Sequence, residues 1–300
     1  MWSSIAKIVL ILVCVSPVLG QQYPMHTQTT NNLPLINPAY AGFADQFNGT
    51  ILNRTQWTSI DGAPNTQFLN FNGTLGGKEM GWGAQLVNDE IGPAKALQFF
   101  GSYSYRIALK SSKLSFGLQA GAQYDQYNWS EISTTEANDP AFAGENYQTL
   151  SPQFGFGAYW ESKSLSIGLS IPWILENTDL NGFDQRRHYF AHLAYLMKPS
   201  KKVFFKPAAM VKYLPDNRPQ FDLAANFIYQ ERVWLTAGIR TQESLFMGAR
   251  IKVLKPVWVG YSYDARVQSQ YPSLQASTHE VFLYFQIPHQ QYNERSPRYF

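Results

Sequence analysis

The chain has 300 residues, a net charge of +3, and only 15% charged against 15% aromatic side chains, where a soluble domain carries about 25% charged residues. Mean hydropathy is nonetheless only −0.27, and beyond Gly20 no run reaches the roughly 18 apolar residues of a membrane helix. The balance excludes an α-helical membrane protein, and the small, unclustered positive charge leaves no footprint for nucleic acid.

At the N-terminus, Lys7 precedes an apolar run from Ile8 to Val15, and Val18-Leu-Gly20 supplies small residues before a cut ahead of Gln21. Residues 1–20 therefore read as a signal peptide, too short to span a bilayer. Cys14, the only cysteine, lies in that run behind Val13, where a lipoprotein site would have a small residue, so it reads as a signal-peptide hydrophobe. The remaining chain then has no disulfide and no thiolate metal site.

Residues 21–46 show no strand periodicity and are predicted to form a periplasmic segment ahead of the sheet. Within it, Asn37-Pro-Ala-Tyr-Ala-Gly42 reads as an ordered bend, because Asn-Pro starts turns and Gly42 tolerates a positive φ.

From Phe47 the pattern changes to strict alternation. It is clearest where Leu97, Phe99, Gly101, Tyr103, Tyr105, Ile107 and Leu109 share one parity, and Gln98, Ser102, Ser104 and Arg106 the other, with Phe100 out of place. After a polar turn the pattern restarts at Leu114 and runs to Asp125. Two such stretches are a β-hairpin, and their length, about nine to eleven residues, suits a tilted strand crossing a bilayer. The same unit recurs to give about fourteen strands, an even number as closed bacterial barrels require: Phe47–Trp57, Gln67–Leu75, Met80–Asn88, Leu97–Leu109, Leu114–Asp125, Gln153–Trp160, Leu165–Trp173, His188–Met197, Val203–Tyr213, Phe221–Tyr229, Val233–Arg240, Leu245–Val253, Val257–Asp264 and Glu280–Ile287. The predicted fold is an all-β, antiparallel up-and-down transmembrane barrel over residues 47–287, with a periplasmic tail over 288–300.

The connections test this count. Every second junction is about three to five residues, the length of a tight hairpin, whereas the others, including Thr58–Thr66, Asp89–Ala96, Gln126–Pro152 and Ala265–His279, are mostly longer, with Thr241–Ser244 the exception. Short turns on one rim and long loops on the other predict an outer-membrane barrel with both termini in the periplasm. Trp57, Trp173, Tyr213, Tyr261 and Tyr263 near one set of strand ends, and Trp160 and Tyr229 near the other, fit interfacial belts. A soluble β-sandwich would have strands nearer five or six residues and no one-sided loops.

The polar parity collects Arg54, Gln56, Gln85, Gln98, Arg106, Gln119, Gln123, Asp125, Lys206, Lys212, Asp222, Asn226, Arg240, Arg250 and Lys252, and so faces the lumen. These residues read as a network that fills the interior or as a selectivity lining. Phe100, Phe190, Phe204, Trp234, Phe246, Trp258, Phe282 and Tyr284 share the parity, which favours an occluded interior over an open pore. The expected obstruction is the 126–152 loop or the 21–46 segment.

No catalytic, cofactor or metal site is expected. His188 and His192 lie four apart, about 13 Å along a strand and too far for one ion; His279 and Glu280 fall on opposite faces. There is no phosphate loop and no nucleophile elbow. The Asn-x-Ser/Thr matches at Asn48, Asn53, Asn72 and Asn128 lie in or beside predicted strands and read as chance.

Taken together, the stretches resemble the PorP/SprF family of outer-membrane proteins attached to the type IX secretion system. The residues that carry the resemblance are Asn37-Pro-Ala-Tyr-Ala-Gly42, Gln56-Trp57, Gly62-Ala-Pro64, Asn88-Asp-Glu-Ile-Gly92, Tyr103-Ser-Tyr105, Leu114-Ser-Phe-Gly-Leu118, Gly260-Tyr-Ser-Tyr-Asp264 and His279-Glu280. It implies a barrel in outer-membrane lipid that partners a secreted adhesin or gliding protein carrying a C-terminal sorting domain, together with type IX secretion components. A core role beside the periplasmic ring is the first alternative, and a passive porin-like transporter the second. Partner contacts are expected at Asn37, Tyr40 and Gly42 at the N-terminal mouth, at Trp57 closing the first strand, and at Gly62, Pro64, Asp89 and Gly92 in external loops. Turn chemistry alone also accounts for these residues.

Overall fold

The computed structural model describes residues 25–58, 60–76, 79–128, 146–178, 184–241, 243–267 and 277–288. The stretches expected as signal peptide and periplasmic tail, and the core of the expected 126–152 loop, lie outside them.

Fourteen antiparallel strands close into a barrel. In chain order they are β1 (Gln46–Thr55), β2 (Asn65–Leu75), β3 (Met80–Ile91), β4 (Ala94–Ala108), β5 (Ser112–Tyr127), β6 (Tyr147–Ser162), β7 (Leu165–Ile171), β10 (Tyr189–Tyr195), β11 (Val203–Tyr213), β12 (Gln220–Tyr229), β13 (Val233–Arg240), β14 (Ser244–Leu254), β15 (Val257–Arg266) and β16 (Thr278–Pro288). Two-residue strands β8 (Asn177–Thr178) and β9 (Asp184–Gln185) form a separate small hairpin between β7 and β10. Closure runs through β1 and β16, in register from Gln46 opposite Pro288 to Thr55 opposite His279. No strand of the barrel is left with an open edge.

The alternation decides which face meets lipid. Phe99 and Leu118 point outward and are 60% and 61% exposed, whereas their neighbours Phe100 and Gln119 point inward and are 0% and 5% exposed. An outer surface bearing Ile51, Leu97, Tyr103, Leu169, Leu223, Met247 and Val281 would aggregate in water. In a bilayer it is the lipid contact. Phe100 is therefore no flaw in the pattern: it is a lumen-facing residue.

Strand boundaries differ from the sequence expectation at β6, which begins at Tyr147 inside the expected 126–152 loop and pairs there with β5, and between β3 and β4. The 89–96 stretch, expected as a long loop, is a tight turn at Gly92-Pro93, with Asp89 still inside β3 opposite Thr66. A φ of +54° at Gly92 lets the chain reverse there, so alternation continues on both sides. The other long connections remain on that rim, and the short turns lie on the opposite rim.

The lumen is filled by the chain's own N-terminal part. Residues 25–45, expected as a segment ahead of the barrel, lie inside it and carry three 3₁₀ turns, at Thr29–Asn31, Leu33–Leu35 and Pro38–Tyr40. Leu33, Leu35, Ile36, Ala39, Tyr40 and Phe43 are buried with the inward rings of Phe68, Phe100, Tyr159, Trp173, Phe190 and Phe282 in one core. Each large apolar side chain gains about 1.5–3 kcal/mol by leaving water. Outside the barrel this segment would expose all of them, so the inward rings and the plug require each other.

Candidate functional site

The plug crosses the lumen lengthwise. At its lower end, level with the short turns, Asp45 pairs with Arg106 and with Lys113 Nζ at 2.9 Å, and Arg106 also donates to the Gly42 carbonyl. The Arg106 guanidinium sits 4.9 Å from the Phe43 ring centre. In the middle, Asn37 Nδ2 donates to the Ala158 carbonyl at 3.1 Å, and Asn31 Nδ2 donates to Asn226 Oδ1 at 2.7 Å. At its upper end, near the long loops, Arg54 Nη1 donates to Thr27 Oγ1 at 2.6 Å, and that hydroxyl donates to Asp264 Oδ1 at 2.6 Å. Arg54 also pairs with Asp264 at 2.9 Å and with Glu280 at 3.3 Å. Nearby, Arg240 makes a forked bond to Asp222 and donates to the His26 carbonyl at 2.8 Å. Apart from Asp45 and Lys113 at the mouth, which are half-buried, these charges are buried, and each has an oppositely charged partner as a low-dielectric interior requires.

Glycines on the lumen face give the plug its seat. A Cβ on Gly117 would overlap the Pro38–Ala39 peptide, and one on Gly157 would overlap Asn37 Oδ1. The absent side chains let two backbones approach. Asn37 in turn accepts from the Ala39 N–H at 3.0 Å, which starts the 3₁₀ turn that Pro38 favours. Gly42, with φ +64°, lies against Gly73 and Gly81 of the wall. Composition and alternation point to the polar residues of the lumen parity and say nothing about these glycines. Their clustering on that parity is the signal that could have found them.

The eight residues expected at partner contacts fall into two groups. Asn37, Tyr40 and Gly42 are inside the barrel as parts of the plug; Tyr40 packs edge-on to Tyr159 at 5.1 Å between ring centres. Trp57, Gly62, Pro64, Asp89 and Gly92 meet at the long-loop rim. There the Gly92 N–H donates to the Gly62 carbonyl at 2.9 Å, the Gln56 N–H donates to the Pro64 carbonyl at 2.9 Å, and Thr66 Oγ1 donates to Asp89 Oδ1 at 2.6 Å. Trp57 turns at φ +48° and lies under the Arg266 guanidinium, 5.3 Å from its ring centre. Sequence motifs far apart along the chain thus form one clamp between the first two connections of that rim.

Among the described residues no group of His, Cys, Asp and Glu could hold a metal ion. His192 is buried under the plug, with His188 at the upper end of the same wall.

An apolar outer belt, a closed sheet and a lumen occupied by the chain's own segment define the class: an outer-membrane β-barrel with an internal plug. The family description "Type IX secretion system membrane protein PorP/SprF" matches residues 18–285, and the chain belongs to that family. With the family comes a function in type IX secretion, as a transport and adaptor protein and not an enzyme. No curated protein matches the chain. Solved structures share the barrel. Omp33, an outer-membrane protein of Acinetobacter baumannii, aligns with a TM-score of 0.50 at 7% identity, covering 82% of this chain and 100% of its own. CymD, a monoaromatic hydrocarbon channel, aligns with a TM-score of 0.50 at 11% identity, covering 89% and 94%. At these identities the likeness is one of fold alone.

Proposed function

We propose that this barrel holds or helps export a large secreted adhesin or gliding protein, recognised by its C-terminal sorting domain, and that it passes no solute through its lumen. The observation that carries the second half is the plug: apolar side chains and buried ion pairs tie residues 25–45 to the wall from one end to the other. A porin-like role has no open channel to use. The first half rests on the family and on the long-loop rim, where the Gly62–Gly92 bond joins the first two connections into one clamp.

In the same reading the short-turn rim, with the end of β16, faces the periplasm and the long loops face outward. The N-terminal side of the plug then approaches the outer mouth, because Thr27 is bonded to the upper ends of β15 and β16.

The test is affinity capture of the intact barrel from native outer membranes. Co-purification of one large secreted protein supports the holding role. Recovery of periplasmic ring components instead would move the protein to the secretion and motility core. Uptake of small sugars by liposomes containing the purified barrel would overturn the closed-lumen half of the reading.

A further inference from the structure

The short-turn half of the lumen carries a patch of wall that the plug does not neutralise. Lys206 on β11, and Arg250 and Lys252 on β14, all face inward within about five residues of their strands' short-turn ends. Their neighbours are rings. The Arg250 guanidinium lies 3.8 Å from the Trp234 ring centre and 5.3 Å from that of Tyr284; Lys206 Nζ lies 5.5 Å from Trp234, and Lys252 Nζ 4.6 Å from Trp258. The sheet register enforces this arrangement, since Trp234 stands opposite Arg250 and Trp258 opposite Lys252.

Among the described residues none of these three cations has an ion-pair partner. Glu161, whose charge reaches Lys206, is engaged by the Tyr159 hydroxyl at 3.3 Å. Two buried donors, Arg250 Nε and Trp258 Nε1, have no acceptor there. Ring faces attract cations by about 0.5–2 kcal/mol, yet they leave N–H donors unused, and buried donors are nearly always satisfied. A small cavity lies between Arg250 and Tyr284 of the wall and Gln28 and Asn31 of the plug, and His26 and Glu280 also line it. The patch therefore has positive charge, idle donors, flat apolar walls and adjoining space, and the acids nearest to it, Glu161 and Glu280, are already engaged by Tyr159 and Arg54.

We propose that this wall is an anion-binding site reached from the short-turn mouth, taking a carboxylate or phosphate oxyanion whose flank packs on Trp234 and Trp258. A fork at Arg250 suits either oxyanion, and the rings select for an anion with an apolar or aromatic neighbour. The source is a free phosphorylated solute or the carboxylate of a polypeptide end.

The experiment is a tryptophan-fluorescence titration of the full chain in detergent at constant ionic strength. The probes are inorganic phosphate, a short peptide ending in an aromatic residue with a free carboxylate, and the same peptide amidated. The expected result is a saturable change with phosphate or with the free-acid peptide, weakened about tenfold in the double variant R250Q/K252Q, as loss of charge-assisted hydrogen bonds implies. Free acid binding above amide identifies a polypeptide end; phosphate saturating alone identifies a solute. If the double variant does not assemble, R250K carries the test. It keeps the charge but loses the fork, and is expected to weaken binding roughly threefold. Absence of any saturable response, or a response unchanged in these variants, overturns the site.

Discussion

The two halves of the lumen solve the same problem in different ways. Toward the long loops, Arg54 and Arg240 are held by Asp264, Glu280 and Asp222, and the plug completes the network through Thr27 and the His26 carbonyl. Toward the short turns, on the wall formed by β11 to β16, Lys206, Arg250 and Lys252 lie against Trp234 and Trp258 instead of carboxylates. One half is a closed polar lock whose charges cancel within the chain. The other, along β11 to β16, is a basic, ring-lined vestibule whose charges do not, although across the same mouth Asp45 pairs with Arg106 and Lys113. A barrel wall built from one repeating strand thus separates closure from recognition by the choice of partner for each cation.

The largest effect should come from removing the lock's key. In-frame deletion of residues 25–44 takes away Leu33, Leu35, Ile36, Tyr40 and Phe43, whose burial is worth roughly 10 kcal/mol in total at about 1.5–3 kcal/mol each. Planar-bilayer recordings should show steady conductance for the deletion and none for the full chain. Equal currents from both would mean that the plug does not close the lumen.

Next in size are opposite responses of the two halves to loss of a cation. Arg54→Met leaves Asp264 and Glu280 buried without their guanidinium, and should destabilise the barrel by about 3–5 kcal/mol. Lys206→Met removes a buried cation that has no ion-pair partner among the described residues, and should be neutral or stabilising. Heat-induced band shifts in detergent read both. Similar losses in the two variants would erase the distinction drawn between the halves.

The third effect is a pH dependence that one residue of the lock contributes. Burial, with Arg54 and Arg240 nearby, holds the His26 imidazole down to about 3, against about 6.5 in an unfolded chain. The folded plug therefore refuses a proton that the released plug takes. Its contribution is complete above pH about 6.5 and declines by about 1.4 kcal/mol per pH unit as pH falls toward 3. His26→Gln should flatten that part of the stability profile, and the difference between the two proteins isolates it from the carboxylates. Parallel profiles would show that His26 does not sense pH.

How much of this was legible follows from the two-residue period. Alternation sorts every barrel strand into lipid and lumen faces, so Phe99 and Phe100 could be read as neighbours with opposite fates, and the inward rings announced an obstructed interior. Residues 25–45 have no such period. Their fold comes from contacts with wall residues far away in the chain, such as Asn37 with the Ala158 carbonyl and Thr27 with Asp264. Spacing cannot encode those contacts, so the Asn37 motif looked like a mouth when it is the middle of a plug. The loop boundary at Asp89 differs for another reason: the polar run Asn88-Asp-Glu90 reads as a loop, yet it continues β3 in register with β2, and the reversal comes only at Gly92-Pro93. The cation–ring vestibule was half visible, since both residue types appear on the lumen parity, but their pairing depends on strand register.

The smallest predicted effect is also the control for the comparison. Gly62 has φ +70° and is exposed at the long-loop rim, beyond the lock and far from the vestibule. Gly62→Ala places a Cβ in the left-handed region and should cost about 1–2 kcal/mol by that strain, slackening the 2.9 Å bond between the Gly62 carbonyl and the Gly92 N–H. Lumen closure and anion binding should not change, because no plug or vestibule residue leans on this clamp. If the rim is where a secreted partner docks, recovery of that partner in affinity capture should fall by more than the stability loss explains. Undiminished capture would place the docking surface elsewhere on the barrel and reduce the Gly62 and Gly92 motifs to turn chemistry.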